Sequence, residues 1–370
     1  MRICVDIQAA VGQRTGVGQY TRALVQHLGR YSGADSLRLF YFDCQRRGRP
    51  FPADRAEFRA VRWCPGRLAQ YAWKQWHMPP FDWLAGAADV YHFPNFVVPP
   101  LRRGKAVVSI HDMSFLRHPE FAEARNQRYL ASVIGHSARR ADAIITLSRF
   151  SAREIQELLG VPADRIFPIP LGAALESPTP DAAAVQAMRA RLGLDRPYLL
   201  TVSTLEPRKN IPLLVDVFER TAFDGDLVIA GMRGWKYEPI LARIAASPRR
   251  DRIRLPGYVP PADLPALYAG AQAFVFPSFY EGFGMPPLEA MLNGVPVVAS
   301  TGGSLPEVLG DAAVLVEPND CDAWVARLDA VLHDANLRRR LVAGGRLHAA
   351  RFTWDETARQ TWAVYQKVAG

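Results

Sequence analysis

The segment Glu281-Gly-Phe-Gly-Met-Pro-Pro-Leu-Glu289 follows the apolar run Ala273-Phe-Val-Phe276, which is typical of a buried strand. Its two glycines allow the backbone to turn tightly and to approach a ligand. Its two prolines suit the first turn of a helix, where a missing N–H costs nothing. The segment therefore predicts a strand, a glycine loop and a helix N-terminus, an arrangement whose N–H groups and positive dipole end bind anions.

Two carboxylates, Glu281 and Glu289, bracket this loop. Acids repel phosphate, but they are good acceptors for sugar hydroxyls. An anion-binding helix start between two such acids suggests a nucleotide sugar as ligand. A purely structural interpretation also stands, in which Glu289 is a favourable acid in the first turn of a helix and Glu281 is a solvated loop residue.

The length and charge of the chain narrow its class. With 370 residues it exceeds the size at which single cores usually divide, so two domains are expected. The formal charge of +9 favours an acidic partner, such as a phosphate-bearing substrate, an anionic membrane or a nucleic acid. The four cysteines are scattered, which argues against a zinc site or a disulfide framework and fits a reducing cytoplasm. No apolar run is long enough to cross a membrane, and no signal peptide is recognised at the N-terminus, so a cytoplasmic location is expected.

Short apolar runs alternate with helical patterns along the whole chain, and this βαβ rhythm predicts doubly wound, mostly parallel sheets. The pattern loosens around Ser177-Pro-Thr-Pro180 and starts again with a strand at Tyr198. We therefore expect an α/β protein with two tandem Rossmann-like domains and a ligand cleft between them. The expected parts are an N-terminal domain over 1–172, a linker over 173–196, a C-terminal domain over 197–350, and a C-terminal helix over 351–370 that packs back on the N-terminal domain.

A second glycine turn, Thr15-Gly-Val-Gly18, follows the first predicted strand and opens a helix. Such a turn suits a phosphate or a closely approaching substrate, and it is equally compatible with a plain strand-to-helix connection. A nicotinamide dehydrogenase with Asp43 as its ribose-binding acid is an alternative. The third glycine position of that fingerprint holds Thr21, which disfavours it.

Two further motifs follow predicted strands. His111-Asp112 comes directly after the apolar run that ends at Ile110, at the sheet edge where open α/β folds bind ligands. Arg208 and Lys209 follow the first strand of the second half and combine a fork donor with a point charge, which suits a diphosphate. Asn210 is expected to cap the next helix.

Taken in order, these motifs resemble the retaining nucleotide-sugar glycosyltransferases of glycosyltransferase family 4, which have the GT-B fold. The resemblance covers almost the whole chain. It rests on Gly16-Val-Gly18, His111-Asp112, Glu206-Pro-Arg-Lys-Asn210, Pro256-Gly-Tyr258 and the acid-x7-acid element that starts at Glu281. The runs His111-Asp-Met-Ser-Phe-Leu-Arg-His-Pro-Glu120 and Pro207-Arg-Lys-Asn210 are also similar to bacterial mannosyltransferases of surface-polysaccharide assembly.

The resemblance implies a role for each motif. The catalytic set would be Glu281 and His111 at the donor sugar with Arg208 and Lys209 at the departing diphosphate. The remaining binding residues would be Gly16 and Gly18 near the diphosphate and acceptor, Gly257 and Tyr258 beside the base, Gly282, Phe283 and Gly284 at the sugar hydroxyls, and Glu289 at the ribose.

The family also implies retention of anomeric configuration through a short-lived ion pair, and no required metal or other cofactor. The expected activity is transfer of a sugar, with mannose from GDP-mannose preferred over a UDP-sugar, to a lipid-linked saccharide acceptor in bacterial polysaccharide or lipopolysaccharide synthesis. Two alternatives remain open. A sugar-nucleotide epimerase would turn over the donor without an acceptor, and a non-catalytic nucleotide-sugar-binding module would show no turnover.

One further region bears on the acceptor. Between Asp43 and His77 the sequence has eight Lys or Arg residues against three acids, interleaved with Trp63, Tyr71, Trp73 and Trp76. Basic residues with interfacial aromatics favour an anionic membrane surface, so a protein peripheral to the inner face of the plasma membrane is expected. Nucleic acid is not expected, because no nucleic-acid motif accompanies this composition. A solvated arginine-rich surface over core tryptophans is the structural alternative.

Overall fold

The structure, a computed structural model, describes residues 1–12, 16–48, 50–173 and 180–370. The chain forms two compact units. The first unit comprises Met1–Leu116, Arg125–Gly172 and Trp354–Gly370. The second comprises Arg117–Ala124 and Ala173–Thr353. The chain therefore enters the second unit briefly after His111, and it returns to the first unit with its last helix.

The first unit contains a parallel sheet in the order β3-β2-β1-β4-β5-β6-β7. Its strands are β1 (Arg2–Asp6), β2 (Ser36–Phe42), β3 (Ala56–Val61), β4 (Val90–Phe93), β5 (Lys105–Ser109), β6 (Ala143–Thr146) and β7 (Ile166–Pro168). The chain builds outward from β1 to one edge and then starts again at β4 on the other side of β1. Strands β4 and β6 are buried at every residue, as expected for inner strands of a parallel sheet.

The second unit repeats this plan with the order β10-β9-β8-β11-β12-β13. Its strands are β8 (Tyr198–Val202), β9 (Asp226–Ala230), β10 (Ile253–Gly257), β11 (Ala273–Phe276), β12 (Val297–Ser300) and β13 (Val314–Val316). Every pairing is parallel. The order reverses between β8 and β11, so the loops that leave these two neighbouring strands diverge at one point of the sheet edge.

Helices connect the strands throughout. In the first unit they are α1 (Gln8–Gly12), α2 (Val17–Leu28), α3 (Gly66–Trp76), α4 (Phe81–Ala85), α5 (Ser114–Arg117), α6 (Ala124–Arg140), α7 (Arg149–Leu159) and α16 (Trp354–Ala369). The last residue of α5 and the first residue of α6 belong to the second unit. In the second they are α8 (Ala182–Leu192), α9 (Ile211–Arg220), α10 (Glu238–Ala245), α11 (Leu264–Ala269), α12 (Met285–Leu292), α13 (Leu305–Leu309), α14 (Cys321–His333) and α15 (Ala335–Ala349). Across the described ranges, none of the helices combines the length and the apolar content that a membrane crossing requires.

The two parallel sheets confirm the predicted class of two doubly wound α/β units. Sequence patterns missed the edge strands β7 and β13, which have three residues each, and the short helices α1, α4, α5 and α13. Elements this short contain too few residues to show a period, and tertiary packing decides their conformation. The stretch 180–196, expected to belong to a linker, is part of the second unit and contains α8.

Candidate active site

The loops that leave β8 and β11 carry a cluster of charged side chains in the second unit. After β8, the chain makes one 3-10 turn over Pro207–Lys209. The amide of Phe279 donates to the carbonyl of Arg208 at 2.9 Å, which joins this turn to the loop after β11. The two loops thus hold their side chains against each other at the point where the strand order reverses.

Asn210 begins α9, but it does not cap the helix with its side chain as the sequence suggested. Its backbone is left-handed, with φ 52°, and its side-chain Nδ2 instead donates to the carbonyl of Pro318 at 2.8 Å. This contact ties the turn before α9 to the loop after β13. The residue therefore fixes the position of Lys209 through a long-range contact.

Arg208 and Lys209 both bind Glu281. Arg208 Nη1 donates to Glu281 Oε2 at 2.8 Å, and Lys209 Nζ donates to Glu281 Oε1 at 2.6 Å. Arg208 also donates from Nη2 to Glu206 Oε1 at 2.8 Å and from Nη1 to the carbonyl of Tyr280 at 2.7 Å. Glu206 and Glu281 are both buried. Three residues expected to act together are therefore in direct contact, and Glu206 is a fourth partner that sequence reasoning assigned no role.

Glu281 is ionised at neutral pH. Burial alone raises the pKa of its carboxyl, but the charges of Arg208 and Lys209 outweigh burial and lower the pKa to about 2. The two cations and the two carboxylates, including Glu206, sum to zero charge. A carboxylate with such a low pKa is a poor proton donor, and it is suited to holding cations in place and to accepting hydrogen bonds.

The loop from Gly282 to Gly284 leads into α12, as the sequence predicted. Gly284 has φ 95°, and a Cβ atom there would lie 2.6 Å from Leu305 Cδ2, so only glycine fits. Gly284 is also the N-cap residue of α12, and as a glycine it has no side chain that could cap the helix. Gly282 and Phe283 are buried, and the ring of Phe283 packs against that of Phe352 at 5.8 Å.

A glycine pair after β12 supports Glu281, and sequence reasoning missed it. Gly303 has φ 66°, and a Cβ there would lie 2.4 Å from the carbonyl oxygen of Glu281. The amide of Ser304 donates to that oxygen at 2.9 Å. The Gly302-Gly303 pair between a strand and a helix was the sequence signal for this close approach.

Buried hydroxyl groups adjoin the same loops. Among the residues that the structure describes, the side-chain oxygens of Ser203 and Ser304 are buried without a hydrogen-bond partner. Ser203 follows β8, and Ser304 precedes α13. Because a buried hydroxyl without a partner costs free energy, these groups are suited to a polar ligand.

Glu289 lies one helix turn further along α12. Its Oε2 accepts a hydrogen bond from the hydroxyl of Tyr268 at 2.7 Å. Burial raises the pKa of its carboxyl, and the hydrogen bond from Tyr268 opposes that effect. The two acids that bracket the loop therefore have opposite environments, since the pKa of Glu281 is lowered and that of Glu289 is raised.

Gly257 ends β10 with φ 74°, and Tyr258 is 39% exposed. The carbonyl of Gly257 accepts from the amide of Gly231 at 2.8 Å. A Cβ on Gly231 would lie 1.9 Å from the carbonyl oxygen of Ser203. The absence of a side chain at Gly231, to which the sequence analysis assigned no role, therefore allows the loops after β8, β9 and β10 to pack closely.

The segment Arg117–Ala124 adds aromatic contacts beside Glu281. The ring of His118 lies 5.5 Å from that of Tyr280, and the ring of Phe121 stacks on that of Phe279 at 5.3 Å. Trp235 Nε1 donates to the carbonyl of Phe121 at 2.6 Å. Part of the motif that begins at His111 thus lies against the loop that carries Glu281.

In the first unit, Gly16 precedes α2 with φ 54°, and Gly18 is buried within that helix. Thr15 lies outside the described residues. Tyr20 follows one half-turn later, and its ring meets the ring of His111 edge-on at 4.9 Å. The glycine turn and His111 are therefore connected through a single aromatic residue.

His111 is buried and uncharged. Its Nε2 donates to the carbonyl of Pro94 at 2.8 Å, which makes Nδ1 the acceptor nitrogen of the neutral ring. Burial lowers the pKa of the imidazole, although the hydrogen bond to Pro94 opposes this. The ring also packs against Phe96 at 5.4 Å. Such a histidine can orient a polar ligand without adding a positive charge.

Asp6, at the end of β1, is a titratable group that sequence reasoning missed. Burial raises the pKa of its carboxyl to about 6, while a hydrogen bond from the Gln8 amide to Oδ1 opposes the shift. In the sequence, the only indication of this buried carboxyl was a single acid inside the apolar run Ile3-Cys-Val-Asp-Ile7.

In the described part of the chain, no three His, Cys, Asp or Glu side chains come together as a metal site would require. Activity without a metal stays a prediction.

Family models match both halves of the chain. The model described as Glycosyltransferase Family 4 matches residues 14–177, and the one described as Glycosyl transferases group 1 matches residues 186–348. The chain is 35% identical to O-antigen chain mannosyltransferase B of Escherichia coli, over 95% of this chain and 96% of that protein.

Solved structures share the fold. The sucrose-phosphate synthase of Thermosynechococcus elongatus superposes with a TM-score of 0.77 and 21% identity, over 99% of this chain and 98% of that one. WaaG, a glycosyltransferase of lipopolysaccharide biosynthesis, superposes with a TM-score of 0.74 and 16% identity over the full length of both chains. These likenesses confirm the predicted GT-B fold.

Proposed function

This chain belongs to the family-4 glycosyltransferases, and we propose that it transfers mannose from GDP-mannose to a lipid-linked saccharide in bacterial polysaccharide or lipopolysaccharide synthesis. The observation that carries the proposal is the contact of Arg208 and Lys209 with Glu281 where the strand order of the second unit reverses. The 35% identity to a protein named as an O-antigen mannosyltransferase supports mannose as the sugar.

The difficult event in this reaction is departure of the nucleoside diphosphate. The acceptor hydroxyl oxygen bonds to the anomeric carbon, the bond from that carbon to the phosphate oxygen breaks, and its electron pair stays on the phosphate. Arg208, Lys209 and the start of α12 stabilise this charge. Such preorganised donors typically contribute about 3 kcal/mol each to the transition state.

Glu281 has two tasks in this proposal. It holds Arg208 and Lys209 in position before the donor arrives, so that little reorganisation is needed when charge develops. Its oxygens also accept hydrogen bonds from the donor sugar, whose hydroxyls contact the backbone of Gly282, Phe283 and Gly284. Because its pKa is about 2, it does not supply a proton at neutral pH.

The remaining residues bind the nucleotide and the reacting centre. Glu289 accepts a hydrogen bond from the ribose through Oε1, since Oε2 is engaged by Tyr268. Gly257 and Tyr258 lie beside the base. His111 contacts the donor sugar near the anomeric centre as a neutral ring, and the turn at Gly16 and Gly18 admits the acceptor.

We propose that the reaction retains anomeric configuration and needs no metal. In a front-side attack the acceptor proton passes to the departing phosphate oxygen, so no side chain has to act as a strong base. This is consistent with a site in which Glu281 has a low pKa and His111 is held neutral.

The acceptor side is proposed to lie on an anionic membrane. Helix α3 turns Ala69 and Trp73 inward, and Trp73 Nε1 donates to the carbonyl of Pro79 at 2.7 Å. Four of the side chains that remain exposed on and beside this helix are large and apolar, with 74% exposure for Trp63, 60% for Leu68, 56% for Tyr71 and 67% for Trp76.

Charge favours a bilayer as the partner of this surface. Arg46, Arg47, Arg62, Arg67 and Lys74 are all exposed around it. An aromatic surface surrounded by cations suits the headgroup region of an anionic membrane, where each cation contributes about 1 kcal/mol. Trp73, expected to be part of this surface, is partly buried and packs inward.

The central experiment incubates the protein with GDP-mannose, GDP-glucose, UDP-glucose and UDP-galactose, each with and without a polyprenyl-diphosphate-linked saccharide. We expect transfer from GDP-mannose only when the acceptor is present, and an α-linked product by NMR. Transfer should continue in EDTA.

Each alternative outcome would indicate a different function or mechanism for this protein. Donor turnover without acceptor would indicate an epimerase, and donor binding without turnover would indicate a binding module. A β-linked product would overturn retention, and loss of activity in EDTA that magnesium restores would overturn metal independence. Transfer from a UDP-sugar alone would replace the proposed donor while keeping the proposed chemistry.

Membrane binding is tested by flotation with vesicles of neutral lipid and of neutral lipid containing phosphatidylglycerol. Binding should require the anionic lipid and should weaken as salt rises. The Arg46→Ser/Arg47→Ser variant should bind less, by about 1 kcal/mol per residue. A matched control, Arg339→Ser/Arg340→Ser on α15, removes the same charge elsewhere and should bind as the wild type does. Arg49 lies outside the described residues. Equal partitioning onto both lipids, or onto neither, would contradict the proposal.

A further inference from the structure

A buried row of four hydrogen-bonded side chains crosses the first unit. The hydroxyl of Tyr20 lies 2.9 Å from Ser109 Oγ, Ser109 Oγ lies 2.8 Å from His92 Nε2, and His92 Nδ1 lies 2.6 Å from the hydroxyl of Tyr365. All four residues are at most 2% exposed. Each contact has normal hydrogen-bond length, so the row is continuous.

The row joins four separate elements. Tyr20 belongs to α2, His92 to β4, Ser109 to the end of β5, and Tyr365 to the C-terminal helix α16. Its first member, Tyr20, meets His111 edge-on at 4.9 Å. The C-terminal helix is therefore connected, through hydrogen bonds alone, to the aromatic ring that contacts a candidate active-site residue.

The row carries no charge at neutral pH. Burial and the nearby His111 lower the pKa of His92 to about 3, and burial raises the pKa of Tyr20 to about 12. A neutral imidazole has one donor and one acceptor nitrogen, so Ser109 and Tyr365 must present opposite roles to its two sides. The hydrogen bonds consequently point in one direction along the row, and breaking one bond alters the preference of the others.

Helix α16 also contacts α2 outside the row. The hydroxyl of Tyr31, after the end of α2, donates to Asp355 Oδ2 at 2.7 Å. This contact joins the same two regions of chain but is not one of the hydrogen bonds of the row, and the Trp354 ring beside Asp355 lies 6.3 Å from that of Tyr20. The Tyr31 contact offers a comparison that separates simple attachment of α16 from an effect transmitted along the row.

We propose that Tyr365, His92 and Ser109 are positioning residues, which orient the Tyr20 ring and through it His111. The C-terminal helix would thereby take part in the reaction without touching substrate. This inference rests on the proposed function, because it assumes that His111 lies at the reacting centre. Four hydrogen-bonding groups in a core that apolar residues could fill are consistent with such a geometric task.

The kinetic test compares Tyr365→Phe with Tyr31→Phe. Each variant removes one hydroxyl that joins α16 to the rest of the first unit and keeps the ring. Tyr365→Phe should lower kcat at least about tenfold with an unchanged KM for the nucleotide sugar, because small displacements at a reacting centre are costly. Tyr31→Phe should lower the thermal midpoint and leave kcat and KM unchanged. Equal kcat values in the two variants would overturn the proposal.

A double variant tests whether the row acts as a unit. Tyr20→Phe should lower kcat, and the Tyr20→Phe/Tyr365→Phe variant should lose little more than either single variant, because one broken bond already disrupts the row. Multiplicative losses would mean that the two hydroxyls act independently, which would contradict the proposal.

An NMR measurement tests whether Tyr365 affects His111, and it does not require an active enzyme. In protein labelled at its histidine ring nitrogens, the His111 resonances should move in Tyr365→Phe and stay in place in Tyr31→Phe. If no sugar transfer is found for the wild type, the proposed function fails while this measurement still tests the coupling. Unmoved His111 resonances in Tyr365→Phe would overturn the coupling, even in an active transferase.

Discussion

The candidate residues of the two units differ in their electrostatics. In the second unit, Arg208 and Lys209 contact Glu281 through charged groups, and Glu206 completes a cluster of four ions. In the first unit, His111 is neutral, and the row from Tyr20 to Tyr365 contains no charge. His111 follows β5 and the charged cluster follows β8 and β11, at the carboxyl ends of parallel strands in sheets with the same order reversal, so topology alone does not explain the difference.

The chemistry of glycosyl transfer does explain it. Negative charge develops on the departing diphosphate, whereas the acceptor enters as a neutral hydroxyl. In the proposed reaction, a cluster of ions would therefore suit a unit that holds the donor, and neutral hydrogen-bonding groups would suit a unit that admits the acceptor.

The largest expected effect comes from Glu281→Gln. Replacing the carboxylate with a neutral isostere should lower turnover by about two to three orders of magnitude. Binding of GDP, measured by calorimetry, should persist, because Arg208 and Lys209 remain available for the diphosphate. Stability should fall by about 3 kcal/mol, since two partly buried cations lose their shared partner.

The control for this change is Glu219→Gln. Glu219 in α9 accepts from Arg243 in α10 at 2.7 and 2.9 Å, so its replacement also breaks an ion pair. That variant should lose stability and keep its turnover. If Glu281→Gln turned over normally, or if Glu219→Gln lost as much activity, the charged cluster would be structural only.

A smaller effect is expected from Arg208→Ala and Lys209→Ala. Each should cost about 2–3 kcal/mol in the transition state, which corresponds to a loss of roughly 30- to 150-fold in kcat/KM. Both should also weaken GDP binding, in contrast to Glu281→Gln. Arg243→Ala, which removes an ion-paired arginine from the same unit, serves as the control and should leave kcat/KM unchanged. Normal GDP binding in Arg208→Ala would exclude that residue from the diphosphate site.

Sequence motifs pointed to the charged candidate residues of the second unit, but to few of the neutral residues of the first unit. Glu281, Arg208 and Lys209 stand in short motifs after recognisable strands, and the structure brings them into contact. The row through His92 and Tyr365 joins positions 273 residues apart, and nothing local in the sequence indicates that they meet. Gly303 was missed for the same reason, because its importance depends on the backbone of Glu281 lying against it.

The smallest expected effect is a pH dependence of stability with opposite signs in the two units. Asp6 in the first unit has its pKa raised to about 6 by burial. The folded protein therefore favours the protonated acid, and the resulting stability is present below pH 4 and is lost as pH rises through 6. Glu281 has its pKa lowered to about 2, so its contribution is present above the ordinary value near 4.5 and is lost as pH falls towards 2.

Urea unfolding from pH 3 to pH 7 measures both signs. Asp6→Asn keeps an oxygen that accepts from Gln8 and removes the buried charge, so it should be more stable than the wild type at pH 7 by about 1–2 kcal/mol. That gain should vanish towards pH 4, where Asp6 of the wild type is protonated. The deficit of Glu281→Gln should instead be largest at pH 7 and shrink below pH 4.5, because the unfolded wild type then binds a proton at Glu281 that the folded protein does not bind until the pH nears 2. An Asp6→Asn variant that is destabilised at pH 7 would show that the Asp6 charge is compensated in the folded state, and the opposite signs expected for Asp6 and Glu281 would not hold.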